Sequence, residues 1–519
     1  MLHVTHEPAV EPSWEGGALG LRLRLAAEQA PEKTAYVDDH GPVTYAELLE
    51  LTCAWRAELR ARGVAPGDPV AWQLPNCVES AAIFLAVLDL GAVAVPVVPI
   101  YRRKEVSFIC GQTGAKLLFV PGGDPRFDFA AGVADDVPSV REVVPVRPGS
   151  RWPATPAADP RPDAHTPASA REVAVVVYTS GTESNPKGVL HSQATLLYEV
   201  GTMQRFLGLS GADVFFMPSP LAHITGLLNG IITPISLGGT TVLQEKWDAA
   251  TALRLVERHG CTYSVMATPF LQQMFALPGA REALRAFRYV RCGGADIPRS
   301  LMDAAAACEV TVLRVYGLSE IPTVTCTRPE WEAERLAGTD GVPLENIRLR
   351  VLDEDDRELP SGTPGHIVAA GPEMFLGYLD PVLNEGAFTA EGLFRTGDLG
   401  VLDADGRLRI TGRAKDIIVR GGENISAMEV EEALRKHPSI SDVAVVGVPD
   451  PVMGQRACAY LVTGDALLGP EELRAFLTGT GLAIQKSPEH VVRVDELPRT
   501  PAGKVKKEAL RASFSERTP

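Results

Sequence analysis

Along the chain, apolar positions fall into two patterns: stripes at helical spacing, and short continuous runs that end in polar, glycine-bearing turns. Residues 44–62 place Leu48, Leu51, Trp55 and Leu59 near one face, and Thr44 with Glu47 fits a capping box, which predicts a helix. The most apolar stretch is 81–100. Its length alone would allow a membrane span, but Asp89, Gly91, Pro96 and Pro99 interrupt it, which predicts a buried helix followed by a buried strand. Residues 173–178 and 312–316 are β-branched apolar runs and read as buried strands. Residues 141–170, rich in Pro and Ala, predict a surface connection.

The pattern changes after residues 408–411, a predicted strand followed by Gly412-Arg413-Ala414-Lys415-Asp416. Beyond it Ser426 and Glu429 fit a second capping box, with Val430, Ala433 and Leu434 at helical spacing. Strands are predicted at 443–448 and 457–462, helices at 471–477 and 504–514. The expected organisation is α/β: a large N-terminal domain of layered sheets and helices over 1–414, then a small, mobile α+β lid over 415–519 with a hinge at its start.

Composition narrows the function classes. A chain of 519 residues is too long for one compact core. Its 45% hydrophobic and 22% charged content is that of a soluble globular enzyme. A net charge of −15 argues against wholesale binding of nucleic acid or anionic lipid, yet leaves room for a few local cations on a triphosphate. The 8 cysteines are scattered without a CxxC pair, so neither a zinc site nor a disulfide framework is expected, and a reducing cytoplasm is the expected location. The N-terminus lacks a basic start followed by an apolar run, so no signal peptide is expected.

Five motifs carry chemistry. Thr179-Ser180-Gly181-Thr182-Glu183-Ser184-Asn185-Pro186-Lys187-Gly188 follows a predicted strand. Its hydroxyls, backbone N–H groups and lysine suit a polyphosphate. It is not a Walker loop, because the Gly181-to-Lys187 spacing is wrong and no Lys-Ser or Lys-Thr pair is present. Tyr316-Gly317-Leu318-Ser319-Glu320 sets an aromatic ring suited to a purine beside an acid suited to Mg²⁺. Asp398, in Phe394-Arg395-Thr396-Gly397-Asp398-Leu399, can accept from both ribose hydroxyls; an Asx turn would explain it equally well. The last two are Gly412 to Asp416 and Pro498-Arg499-Thr500-Pro501-Ala502-Gly503-Lys504. In open α/β sheets ligands collect at strand ends, which makes the first two turns natural site candidates.

Taken in order, with Gly91-Ala92-Val93-Ala94-Val95-Pro96 and Gly293-Gly294-Ala295, these motifs resemble the adenylate-forming superfamily of acyl-CoA synthetases, peptide-synthetase adenylation domains and firefly-type luciferases. The resemblance runs from about Leu48 to Lys504 and is strongest to a stand-alone acyl-CoA ligase. It implies an enzyme that uses ATP and Mg²⁺ to adenylate a small-molecule carboxylic acid and then passes the acyl group to CoA. By this resemblance Thr179, Ser180, Gly181, Thr182 and Lys187 hold the β- and γ-phosphates. Gly293, Gly294, Ala295, Tyr316 and Gly317 hold adenine. Ser319 and Glu320 serve the α-phosphate and the metal, and Asp398 and Arg413 the ribose. Lys504 bridges carboxylate and α-phosphate. Lys415 is the hinge. Arg420, Gly421, Gly422 and Glu423 face the CoA tunnel. His223 gates an acyl pocket lined by Gly226, Leu227, Leu318, Ile321 and Val324.

One departure stands out: Glu183-Ser184 occupies the place where most members carry Thr-Gly, and Glu183 brings negative charge to the phosphate loop. Two alternatives follow: an enzyme that only makes the thioester from a preformed acyl-adenylate, and a non-catalytic adenylate-binding protein. No fused carrier segment is expected, so a carrier-protein thiol would act in trans. No charged residue stands out in the segments assigned to the pocket, which favours an apolar acid: aromatic, alicyclic or medium-chain aliphatic. The expected assembly is a monomer or homodimer.

Overall fold

The computed structural model describes residues 17–153, 169–179, 186–294, 297–420, 423–450, 453–464, 468–480, 482, 484–500 and 503–517. Three sheets build the N-terminal domain and a fourth builds the C-terminal one.

Local chemistry explains the first elements. Thr44 Oγ1 accepts from the Glu47 N–H at 3.2 Å while Glu47 returns a carboxylate oxygen to the Thr44 N–H at 2.7 Å, closing the predicted box on helix Tyr45–Ala61. The apolar stretch is helix Val78–Leu90 followed by strand Val93–Pro96, separated by Gly91 at φ +77°, a left-handed position that suits glycine. No helix among the described residues is long and apolar enough to cross a membrane.

Strand Val93–Pro96 lies inside a six-stranded sheet, with Val173–Thr179 parallel beside it and Lys187–Ser192 folded back antiparallel on the latter. The expected surface connection corresponds in part to strand Glu142–Val146, at the edge of that sheet. Pro145 within it is tolerated because an edge strand can leave one N–H side unpaired. A nine-stranded sheet contains adjacent parallel strands Tyr263–Ala267, Tyr289–Gly293 and Val312–Tyr316. A four-stranded antiparallel sheet pairs Phe394–Leu402 with Leu408–Arg413.

In the C-terminal domain a five-stranded sheet has a packed core on each face. Val443 and Val445 face one core and Ala444, Val446 and Val448 the other, as strand alternation requires. Two expectations need correction. Helix Lys507–Arg517 starts three residues after Lys504. Lys504 instead sits on a tight return: the Thr500 N–H donates to the Lys504 carbonyl at 2.7 Å, and Gly503 turns at φ +80°. The second capping box is half formed. Ser426 Oγ accepts from the Glu429 N–H at 3.3 Å, but the Glu429 carboxylate turns to Lys486 Nζ at 2.6 and 2.8 Å. A charge-assisted pair outcompetes the return bond to the cap.

Candidate active site

Strand ends carry most of the candidate residues. Thr179 and Lys187 are paired partners across the hairpin that carries the phosphate-loop motif. Ser180, Gly181 and Thr182, with Glu183-Ser184, lie outside the described residues, as do Ala295, Gly421 and Gly422. Lys187 Nζ stands 5.4 Å from the ring centroid of Tyr378, whose hydroxyl donates to Glu320 Oε1 at 2.6 Å. Burial, then the Glu320 charge, raises the Tyr378 phenol, so it stays a donor. The 375–379 segment is itself fixed between the two motifs. The Phe375 N–H donates to the Glu320 carbonyl at 2.7 Å and the Leu379 N–H to the Gly188 carbonyl at 2.8 Å. Tyr378 was not among the residues singled out from sequence; a lone Gly-Tyr pair carries little signal.

The Tyr316 turn is equally constrained. A side chain at Gly317 would meet the Pro322 carbonyl at 2.0 Å, so only glycine fits. Behind it His191, fully buried, donates from Nε2 to the Ser319 carbonyl at 2.8 Å and accepts at Nδ1 from Thr195. Burial pushes this imidazole down to about 4, so it is neutral and holds the Ser319-Glu320 backbone by shape and hydrogen bonding alone.

The Tyr316 hydroxyl donates to Asp398 Oδ2 at 2.7 Å, and Arg413 Nε pairs with Asp398 Oδ1 at 2.9 Å. Asp398 and Arg413 are direct cross-strand partners, which explains the pair. The Asp398 charge raises the Arg413 guanidinium further. Gly293 and Gly294 end the neighbouring strand. A side chain at Gly293 would meet the Val315 carbonyl at 2.3 Å, and Gly294 lies at φ +77°.

His223 caps the short helix Ile224–Leu227, accepting at Nδ1 from the Thr225 N–H at 3.4 Å. Gly226 lies so close to Pro220 that a side chain would meet its carbonyl at 2.1 Å. Leu227 and Ile321 are fully buried, Leu318 partly. Burial, then Lys504, pushes His223 down to about 4. Lys504 therefore reaches the core site from the C-terminal domain, and Gly503 before it packs against Pro269. Lys504 is exposed as a whole residue, while its ammonium lies within electrostatic reach of Arg413, Asp398, Glu320 and Lys415. Burial of the ammonium among these groups, then Arg413, pushes it down to about 8, against the pull of Asp398 and Glu320. Its loop is braced by Arg499, which pairs with Asp442 and donates to the Gly503 carbonyl at 2.6 Å.

Lys415 lies in a single 3₁₀ turn, Ala414–Asp416, between the core's last strand and the lid's first, Ile417–Arg420. Its neighbour Asp416 is held by Arg511 at 2.9 Å. Arg420 pairs with Glu489. Glu423 opens strand Glu423–Ser426.

A single hard carboxylate fits a metal that arrives with phosphate oxygens and water as its other ligands, as Mg²⁺ does. No cluster of three metal-ligating side chains exists among the described residues. Sequence reading also missed the buried Arg291, Glu199 and Glu373, none of which belongs to a motif. Arg291 lies two positions before Gly293, and strand alternation was the signal that could have found it.

Comparison with known proteins identifies the family. The chain is 35% identical over 520 residues to the medium-chain fatty-acid–CoA ligase of Escherichia coli (strain K12), covering 97% of this chain and 92% of that one. It is 32% identical to the sulfoacetate–CoA ligase of Cupriavidus necator, covering 94% and 96%. The crystal structure of ATP-bound MatB from Rhodopseudomonas palustris superposes with a TM-score of 0.87 at 27% identity, covering 99% and 100%. Residues 429–504 match the AMP-binding enzyme C-terminal domain. Residues 23–379 match the AMP-binding enzyme family, and the chain belongs to that adenylate-forming family.

Proposed function

We propose that the protein is an ATP- and Mg²⁺-dependent acid–thiol ligase that adenylates an apolar carboxylic acid and transfers the acyl group to CoA. The observation that carries this reading is the position of Lys504, a lid cation among Glu320, Asp398 and Arg413 of the core. Carboxylate attack on the α-phosphorus brings two anions together, and a fixed cation between them offsets their repulsion. Glu320, oriented by Tyr378, would hold Mg²⁺, which would supply charge neutralisation on the phosphates. Thr179 to Lys187 hold the β- and γ-phosphates, with Lys187 above Tyr378. Asp398 accepts from the ribose hydroxyls while Tyr316 and Arg413 hold its carboxylate. Gly293, Gly294, Ala295, Tyr316 and Gly317 hold adenine in this reading, with Gly293 and Gly317 packed so closely on the Val315 and Pro322 carbonyls that their backbone forms the wall. Neutral His223 closes the acyl side beside Gly226, Leu227, Leu318 and Ile321.

After adenylation the lid turns about Lys415, withdrawing Lys504 and bringing the Arg420 to Glu423 segment to the thiol. The first domain ends at residue 414 and the lid begins at 415. A cytoplasmic location fits the scattered cysteines, which form no CxxC pair. ATP–pyrophosphate exchange across an acid panel tests adenylation, and acyl-CoA formation tests transfer. Exchange without acyl-CoA would redirect the second step to a carrier protein; no exchange with any acid would refute the adenylating role.

A second reading rests on Glu183-Ser184 in the phosphate loop: an enzyme that makes the thioester only from a supplied acyl-adenylate. Acyl-CoA formed from acyl-adenylate, with no pyrophosphate exchange, would establish it.

A further inference from the structure

The last strand of the first domain, Leu408–Arg413, does not pair evenly with its neighbour. Leu399 faces Gly412 and Gly400 faces Ile410, so the register skips Thr411. A bulged residue of this kind is left out of the ladder, which frees its carbonyl for another donor. That donor comes from beyond the hinge turn: Ser426 Oγ donates to the Thr411 carbonyl at 2.8 Å. Thr411 lies on the core side of Lys415 and Ser426 on the lid side. The two segments are closely packed there. A side chain at Gly412 would meet Ser426 Oγ at 3.2 Å and Met428 Cβ at 4.0 Å.

The same hydroxyl has a second task. It accepts from the Glu429 N–H at 3.3 Å and so caps helix Ala427–Leu434. A hydroxyl has one proton to donate and lone pairs to accept with, so the cap uses a lone pair and the Thr411 contact uses the proton. The cap lies wholly within the lid and is indifferent to where the lid stands. The bond to Thr411 joins lid to core, in the same arrangement that sets Lys504 beside Asp398 and Glu320. A rotation about Lys415 would carry Ser426 with the lid and leave Thr411 behind.

We propose that the Ser426 hydroxyl is a latch that holds the lid in the adenylating position on the bulged Thr411 carbonyl. Ser426 is then a positioning residue that sets the balance between the two half-reactions. This rests on the ligase reading above and on the lid rotation within it. With adenylation drawing on one lid position and thioester formation on the other, the ratio of their rates follows the equilibrium between the positions. Loss of one neutral hydrogen bond shifts such an equilibrium about threefold to tenfold.

The test separates the two uses of the hydroxyl. Ser426→Asp keeps an acceptor for the cap and has no proton for Thr411. Ser426→Thr keeps both, and Ser426→Ala keeps neither. Pyrophosphate exchange is measured with the best acid among octanoate, benzoate and cyclohexanecarboxylate, and thioester formation with CoA and the synthetic acyl-adenylate of that acid. The ratio of thioester formation to exchange is expected to rise about threefold to tenfold in Ser426→Asp and Ser426→Ala. In Ser426→Thr it should stay within about twofold of the unsubstituted enzyme, because the same donor and acceptor remain. The melting temperature should fall in Ser426→Ala and hold in Ser426→Asp, which marks the cap as a separate effect. The ratio does not depend on the amount of folded enzyme. An unchanged or lowered ratio in Ser426→Asp, or a shift in Ser426→Thr as large as in Ser426→Asp, would overturn this inference and leave the ligase reading standing. An unsubstituted enzyme that lacks either half-reaction would overturn both.

Discussion

Tyr378 and Glu320, 58 residues apart, meet through a 2.6 Å hydrogen bond from phenol to carboxylate, and Lys187 sits over the same ring. One side chain thereby links the phosphate-loop lysine to the proposed metal ligand. Tyr378→Phe is expected to raise the Mg²⁺ concentration needed for half-maximal pyrophosphate exchange several-fold and to lower kcat about tenfold. Loss of a hydrogen bond to a charged group is worth about 1.5–3 kcal/mol. A Mg²⁺ titration of the variant checks this; an unchanged midpoint would reduce Tyr378 to a packing role.

Lys504→Ala is expected to lower adenylation by about 10²–10³, the cost of removing one preorganised charge. Thioester formation from a supplied acyl-adenylate should persist, because the proposed lid rotation takes the lysine out of the site before that step. Measuring both half-reactions separately decides it, and equal loss of the two would contradict the assignment.

Lys504 also sets a pH limb. Its ammonium is pushed down to about 8 and acts as the charged form, so adenylation should be intact at pH 7 and decline as pH rises through about 8. Bound ATP and carboxylate favour the cation, so the limb in kcat should lie at higher pH than the limb in kcat/KM. Lys504→Arg should remove the limb from whatever activity remains, since guanidinium does not titrate there. A pH profile of pyrophosphate exchange reads all three.

Lys415→Pro is expected to slow thioester formation more than adenylation. Proline fixes one backbone angle in the single turn between the two domains, the angle about which the proposed rotation turns. Single-turnover rates of the two steps should diverge; slowing both alike would place the hinge elsewhere.

Much of this architecture was legible locally. The capping box at Thr44, the helix stop at Gly91 and the strands that run into Thr179 and Gly317 follow from nearest-neighbour chemistry, and the structure contains each of them. Where local rules misled, a distant partner had intervened. Lys486 drew Glu429 away from its cap, and the Thr500–Lys504 return delayed the last helix by three residues.

The sequence alone determined the order of the chemical groups, the periodicity of the elements and the turns that only glycine can make, because each depends on residues a few positions apart. Tertiary structure alone decided which groups touch. Tyr316 reaches Asp398 across 82 residues, Tyr378 finds Glu320, and Lys504 enters the core from another domain. It also decided that Arg291 pairs with Glu199 beneath Gly293. Such contacts are set by how strands from separate segments align in one sheet, and no spacing along the chain encodes that alignment.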